Sequence, residues 1–519
     1  MVFMCVNRIC QKTISCRKLK LGVPCSVWVL PPHQTGRFRA KSMKHSKMSS
    51  LFEEINLTDE ELQELIGKAK DWALMHGAGM RSKENFSYNT IHFAPFTLFP
   101  TPIKREHFEE VIALQPALGE LMHKVAYDHD FLTSALEKTI KVDDFTRRLF
   151  NIYEIIYKEG FTQEISLELT RSDYLEDIVT QRLKQVEFNT IACSFGGMSP
   201  TNLRLQSYIL KEIGHYDKLK QLPENDALSG YCTGMVEAWK MFNVAEACIL
   251  FVVEDITYNI CDQRFMEFEI REQEPKIKIV RRTFKELHKE AKLGPNKELF
   301  VGKHRIAIVY YRCGYVPQHY TENCWQVRLL IERSDSIKCP NIQYHLAGTK
   351  KVQEVLARPK VLERFMDENK ATRIRNLFTD IFPLDKDEPG SAKVAKLLKT
   401  KPEDFVLKPQ REGGGNNIYG KDITDFLNGE HEDENWQASF IVMRMIRPKT
   451  YKNCIIRPEG SIIIADTVSE LGIFSVVIGT SSEIIYNKQT GHMLRTKPCD
   501  YNEGGVASGF GALDSPYII

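Results

Sequence analysis

The 519-residue chain reads as an α/β protein built in several lobes. Three observations predict this class. Residues 247–253 (ACILFVV), 277–280 (IKIV) and 306–311 (IAIVYY) are short, largely apolar runs, the signature of strands covered on both faces. Helix-like sequence lies between all three, which is the alternation of a parallel, doubly wound unit. Helical periodicity on one side of that unit, and helices followed by strand pairs on the other, predict further α+β lobes.

In chain order, residues 1–48 come first. They are basic and acid-free, and read either as a disordered extension or as a mitochondrial presequence; the clear amphipathic, Arg-rich helix of a presequence is missing. Thr58-Asp59-Glu60-Glu61 starts a helix, with Thr58 as N-cap and Glu61 closing a capping box. Leu62, Leu65, Ile66, Ala69, Trp72 and Ala73 then form one apolar face. Residues 108–157 are helical, and 165–169 and 185–188 are short strands. After the parallel unit, residues 338–399 return to helix, interrupted by an exposed loop at 385–391. Strands flank a glycine-rich loop at 408–419, an acidic loop covers 428–435, and a strand at 439–443 precedes a long strand pair around 461–478. The predicted parts are 1–48, the extension; 49–246, helices and strands contributing metal and substrate ligands; 247–345, the parallel α/β part; and 346–519, with lid and glycine loops.

Composition is ordinary for a globular protein, with 43% hydrophobic, 27% charged and 10% aromatic residues. The net charge of +2 conceals an asymmetry: the first 50 residues carry ten Lys or Arg and no acid, leaving 60 basic against 68 acidic residues beyond them. A mildly acidic body argues against nucleic acid as a partner. The 13 cysteines contain no C-x-x-C pair, which fits reduced thiols in the cytoplasm and no zinc ribbon. No apolar run reaches the roughly 18 residues of a membrane helix. G-x-x-x-x-G-K-[ST], G-x-G-x-x-G, G-x-S-x-G and H-E-x-x-H are all absent.

The chemistry concentrates at loops and strand ends. Residues 408–419 (KPQREGGGNNIY) join Lys408, Arg411 and Glu412 to Gly413, Gly414, Gly415, Asn416 and Asn417. Glycines permit close backbone approach, N–H groups cup an anion, cations neutralise phosphate and a carboxylate holds Mg²⁺. A surface turn is the alternative. Glu187 and Asn189 lie two apart, so an extended chain turns both oxygen donors to one side, as Mg²⁺ requires; capping of the next turn is the alternative. Arg312-Cys313-Gly314-Tyr315 offers a bidentate cation and a close backbone, or a surface turn. Glu470 is a carboxylate in apolar sequence, where a cationic partner is expected. Arg495 and Lys497 introduce a second glycine-rich loop, 503–511, which reads as a closing segment or a tail.

Together these segments resemble the eukaryotic glutathione synthetases of the ATP-grasp superfamily. The match runs in order from about residue 50 to the C-terminus: RSDY at 171–174, EFNTIACSFGG at 187–197, NICDQR at 259–264, RCGY at 312–315, GTKK at 348–351, KPQREGGGNNIY at 408–419, SELGIF at 469–474 and LRTK at 494–497. The resemblance implies an ATP-grasp fold whose parallel subdomain binds substrate and whose glycine-rich lid covers ATP. Glu187, Asn189 and Glu412 would hold Mg²⁺. Glu187, Lys350, Lys408, the loop from Gly413 to Asn416, Asn417, Tyr419, Glu470, Lys497 and Glu503 would surround ATP, with Met443, Arg444, Met445 and Ile446 along the adenine. Arg171, Ile191, Ala192, Cys193, Ser194, Asn259, Gln263, Arg312, Cys313, Gly314, Tyr315 and Arg495 would hold γ-glutamylcysteine, and Val506 and Ala507 would meet substrate from the second loop. Arg495, Lys350 and Lys408 would serve catalysis.

The implied reaction is ATP-dependent ligation of γ-glutamylcysteine to glycine through an acyl phosphate, by a cytoplasmic homodimer without membrane or nucleic-acid partners. Ala192 and Thr257 depart from the family's common Ser and Glu, Arg444-Met445 from a Glu-Lys pair, and Glu503 from an Asp. A ligase for another acceptor, β-alanine or serine, and an inactive nucleotide-binding homologue are the alternatives.

Overall fold

The computed structural model describes residues 49–519 except 83–84, 389, 413, 432, 459, 461, 503 and 507–510. The N-terminal extension and its targeting alternative therefore lie outside the described residues, as do Gly413, Glu503 and Ala507.

The helix Asp59–Met75 starts as its sequence predicts: Thr58 accepts from the Glu61 N–H while the Glu61 carboxylate accepts from the Thr58 N–H at 2.8 Å. Leu65, Ile66, Ala69 and Ala73 are buried, and the helix packs on Ser199–Glu212. Residues 105–159 form the helices Arg105–Tyr127, His129–Leu136, Thr139–Val142 and Asp144–Glu159 around a shared apolar core.

The parallel unit is present. Cys248–Val252, buried at every position, pairs in parallel with Ile279–Arg282 on one side and His304–Tyr311 on the other. His304–Tyr311 in turn pairs in parallel with Ile337–Cys339. The second crossover differs from expectation. The seven-residue helix Phe284–Glu290 is followed by an antiparallel hairpin, Ala291–Leu293 with Leu299–Val301, which continues onto His304–Tyr311. The helical reading of 338–399 is likewise interrupted by the three-residue strands Ile337–Cys339 and Ile381–Pro383, too short to show a period of two.

A seven-stranded sheet carries the centre of the molecule. Its long hairpin, Ile463–Gly479 with Ile484–Pro498, is flanked by Ser166–Asp177 and then Arg182–Asn189. At its other end the pairings close on themselves. Thr450–Ile456 pairs with Ile463–Gly479 and with Phe96–Thr97, which pairs with Ala512–Asp514, which returns to Ile484–Pro498. A smaller four-stranded sheet faces it, in the order Ile381–Pro383, Phe440–Arg444, Phe405–Pro409, Ile418–Tyr419. The first glycine loop joins the last two of these strands. Gly414 and Gly415 have φ of +73° and +78°, a region closed to most side chains.

Candidate functional site

A cavity of about 380 Å³ lies where the smaller sheet faces the larger one. Its floor is built by register. In the large sheet Asn189 is opposite Arg171, Glu187 is opposite Asp173, which is opposite Gly472, and Glu470 is opposite Arg495. Directly paired residues share a face, so two-residue spacing turns all of these polar groups to one side of the sheet. Val186 is an extra residue between the pairs Glu187–Asp173 and Gln185–Tyr174. Such a bulge breaks the alternation, so Val186 and Glu187 both line the cavity, and the Val186 carbonyl accepts from Lys408 Nζ at 3.0 Å.

Lys350, Lys408 and a further carboxylate, Glu412, come from outside that sheet. Lys350, at the start of the helix Lys350–Leu356, donates to Glu412 Oε1 at 2.8 Å and lies 3.6 Å from Glu187 Oε2. Arg495 Nε donates to Glu470 Oε1 at 2.9 Å. Lys497 Nζ donates to the Asn502 carbonyl at 2.6 Å, tying the second glycine loop to its strand. Gly414, Asn416, Asn417, Tyr419 and Val506 also line the space, and Asn417 Nδ2 donates to the Tyr419 hydroxyl. Arg411 reaches the cavity edge but pairs with Asp143 Oδ2 at 2.5 Å, so it is not the free phosphate cation that the loop sequence suggests.

One end of the cavity is apolar: Leu175, Val186, Val406, Met443, Ile446 and Val468 could sandwich a flat ring. Arg444 and Met445 lie on this wall, yet their N–H groups already donate to the Asp380 and Asp404 carbonyls at 2.8 and 2.7 Å. The peptide-end residues divide. Arg171, Ile191, Ala192, Cys193, Ser194 and Tyr315 line the cavity. Arg312 stands behind them, donating to the Cys193 carbonyl at 3.1 Å and Ser194 Oγ at 2.8 Å. Cys313 donates to the Val252 carbonyl, the Gly314 N–H to His319, and Asn259 to Asp262, while Gln263 accepts from Arg281. These four do not line the cavity, nor does Gly415. Burial pushes the Cys193 thiol up to about 12, so it is no nucleophile.

The carboxylates are unequally charged. Burial works against ionised Glu187, but Lys350, Lys408, Arg495 and Arg171 outweigh it and hold its carboxyl at about 2. Burial pushes Glu412 up against the pull of Lys350, and Glu187 adds to the rise. Burial pushes Glu470 up as well, opposed by Arg495 and reinforced by Asp173 and Glu187. Lys408 is lowered by burial and by Lys350 despite Glu187. A divalent cation would relieve the raised carboxyls by neutralising them. Two carboxylates, Glu187 and Glu412, and the Asn189 amide oxygen are donors of the kind that Mg²⁺ takes together with phosphate and water. Among the described residues no three His, Cys, Asp or Glu form a ready-made cage. Asn189 Nδ2 donates to Asp173 Oδ2 at 3.0 Å and to the Arg171 carbonyl at 3.3 Å, which fixes the amide plane.

Of the apolar wall, sequence reading named Met443 and Ile446 but missed Leu175, Val186, Val406 and Val468, ordinary strand residues. It also missed Asp173, which stands inside the RSDY segment without a chemical signature of its own. The two-residue spacing from Arg171 was its only signal.

The model of the family described as "Eukaryotic glutathione synthase, ATP binding domain" matches residues 59–518. The glutathione synthetase of Xenopus laevis is 40% identical, covering 91% of this chain and 100% of that protein. The glutathione synthetase of Homo sapiens is 38% identical over 89% of this chain and 98% of its own. The chloroplastic enzyme of Arabidopsis thaliana is 36% identical over 92% and 89%. Among solved structures, a glutathione synthetase-like effector (GSS30) from Globodera pallida in apo form superposes with a TM-score of 0.72 at 24% identity, covering 89% of this chain and 98% of its own, a likeness of fold. Matched in sequence from residue 59 to 518 and in architecture along its described length, the chain belongs to the eukaryotic glutathione synthase family and has its ATP-grasp fold.

Proposed function

We propose that the chain is a glutathione synthetase: an ADP-forming ligase that joins γ-glutamylcysteine to glycine. The observation that carries the reading is one cavity that combines an apolar end, a floor of carboxylates and guanidiniums, and residues of both glycine loops in its lining. ATP takes the apolar end with its base between Val186, Val406, Met443 and Ile446, and its phosphates run toward Lys350, Lys408 and the loop at 414–417. Glu187, Asn189 and Glu412 would hold Mg²⁺, which supplies charge neutralisation across the phosphates.

Lys350 and Lys408 meet the charge that develops on the transferring phosphoryl group, while Arg495 and Arg171 hold the peptide. The cysteinyl carboxylate oxygen attacks the γ-phosphorus and ADP leaves, giving an acyl phosphate. The glycine amine then attacks the acyl carbon, loses a proton, and phosphate departs. No protein nucleophile takes part, in keeping with the inert Cys193. The glycine loops exclude water, which would otherwise hydrolyse the acyl phosphate. By the family resemblance, the second glycine loop, which follows the Lys497–Asn502 contact, is the segment assigned to acceptor choice.

The division into a substrate part at 247–345 and an ATP part at 346–519, residence in the cytoplasm and a homodimer belong to the same proposal. The expected result is ADP release that needs both γ-glutamylcysteine and glycine. No turnover with both present, or equal turnover without either, contradicts it. The same assay with β-alanine and serine separates glycine from a different acceptor.

A further inference from the structure

We infer that Asp173 is a positioning residue of the ligase, holding in one arrangement the two guanidiniums that meet the peptide and the amide that meets the metal. Asp173 is fully buried. Its carboxylate accepts from Arg171 Nε at 2.6 Å and Arg171 Nη2 at 2.7 Å, a two-pronged pair. Oδ2 also accepts from Asn189 Nδ2 at 3.0 Å and lies 3.6 Å from Arg495 Nη2. These donors come from three strands, Ser166–Asp177, Arg182–Asn189 and Ile484–Pro498, and all three side chains line the cavity that Asp173 does not reach. The carboxylate works from beneath, through the groups it orients.

Gly472 makes room for it. Gly472 is the partner of Asp173 in the adjoining strand, and a Cβ there would stand 2.9 Å from both Asp173 Oδ1 and Arg171 Cδ, and 2.8 Å from Met493 Cγ. Its φ is ordinary, so the missing side chain answers to space. Across that gap Arg495, paired with Glu470, comes within reach of Asp173. Asp suits the position because its short stem brings two acceptors to three donors without entering the cavity. Asn has the same shape, yet it replaces an acceptor with an NH₂ group facing donors.

The inference rests on the ligase reading, and its test separates the two. Wild type, Asp173→Asn and Gly472→Ala are compared by calorimetric binding of γ-glutamylcysteine without ATP or metal, and by ADP release against Mg²⁺, ATP and peptide. For D173N, peptide affinity is expected to fall about tenfold or more as Arg171 loses its fork. The Mg²⁺ concentration for half-maximal turnover is expected to rise about tenfold as the Asn189 amide is freed. The KM for ATP should stay within about twofold, since Lys350 and Lys408 pair elsewhere.

G472A should shift the same quantities in the same direction, and it carries the test if D173N does not fold. A buried ion pair that only stabilises the fold would lower the melting temperature and leave the affinity and the Mg²⁺ dependence of folded variant where they were. That outcome overturns the inference. Wild type that binds peptide but releases no ADP overturns the ligase reading alone, with the calorimetric comparison still deciding Asp173; wild type that binds no peptide overturns both.

Discussion

At the scale of the residue, the unusual group is Glu412. Burial raises its carboxyl, Lys350 holds it at 2.8 Å, and Glu187 repels it. Removing its charge should therefore relieve the fold slightly while depriving the site of an anionic oxygen donor. Glu412→Gln is expected to cut ADP release by more than about a hundredfold with thermal unfolding nearly unchanged. Retained turnover would contradict the role of Glu412 at the metal. Arg411, its neighbour, shows where residue-level reading ends. The sequence offers two cations beside the glycines, and nothing in the motif tells that Arg411 turns to Asp143, 268 positions away. Glu187 and Asn189 were legible from their spacing, because a period of two is a property of any extended chain. The bulge at Val186 was not, since it depends on the register of a partner strand.

At the scale of the element, local rules served where the element is local. The capping box at Thr58 is a four-residue device, and its sequence specifies it completely. Thr58→Ala is expected to cost about 1 kcal/mol of unfolding free energy in urea titration and to leave ADP release unchanged, because the helix Asp59–Met75 is remote from the cavity. A loss of activity at unchanged stability would show the helix to be coupled to the site. The buried run at 247–253 was also legible, since a strand covered on both faces has no polar alternation to interrupt it. The hairpin at 291–301 was not. Its strands are three residues each and borrow their regularity from the edge of His304–Tyr311.

At the scale of the whole molecule, the buried imidazoles set a pH limit. His492 is held down at about 3 by burial, and His345 well below its usual value by burial with Arg328 nearby. Both titrate near 6.5 in the unfolded chain. Below that pH the unfolded chain takes up protons that the native state refuses, so this stability is complete above 6.5 and is lost as pH falls toward the folded values. Each imidazole contributes a loss of about 1.4 kcal/mol per pH unit in that window. Glu187, held at about 2, adds its own loss only below the ordinary carboxylate range near 4.5. Urea unfolding at pH 7.5 and 5.5, compared between wild type and His492→Leu, isolates this contribution from that of the raised carboxyls, which has the opposite sign. The variant's change should differ from that of wild type by about 1 kcal/mol in the direction of less loss at pH 5.5. An identical pH dependence in the two proteins would contradict it. The α/β class was readable from the sequence because buried runs and helical periods repeat many times over. The way the two sheets face one another was not, because that is decided by pairings between remote segments.

The closed circuit of strands extends that remoteness into biosynthesis. Phe96–Thr97 pairs with Ala512–Asp514, and the Thr97 hydroxyl reaches the Leu513 carbonyl across 416 positions. A chain emerging from the ribosome can finish its early helices and its parallel unit long before that partner strand exists. Arg495 and Glu470 also arrive late, so the face that would hold peptide and metal is assembled only in the last moments of synthesis. Until then the nascent protein holds only part of its site, and a message cut short near its end would yield a product with most of its mass and an incomplete active face, lacking Arg495 and the strand that carries it.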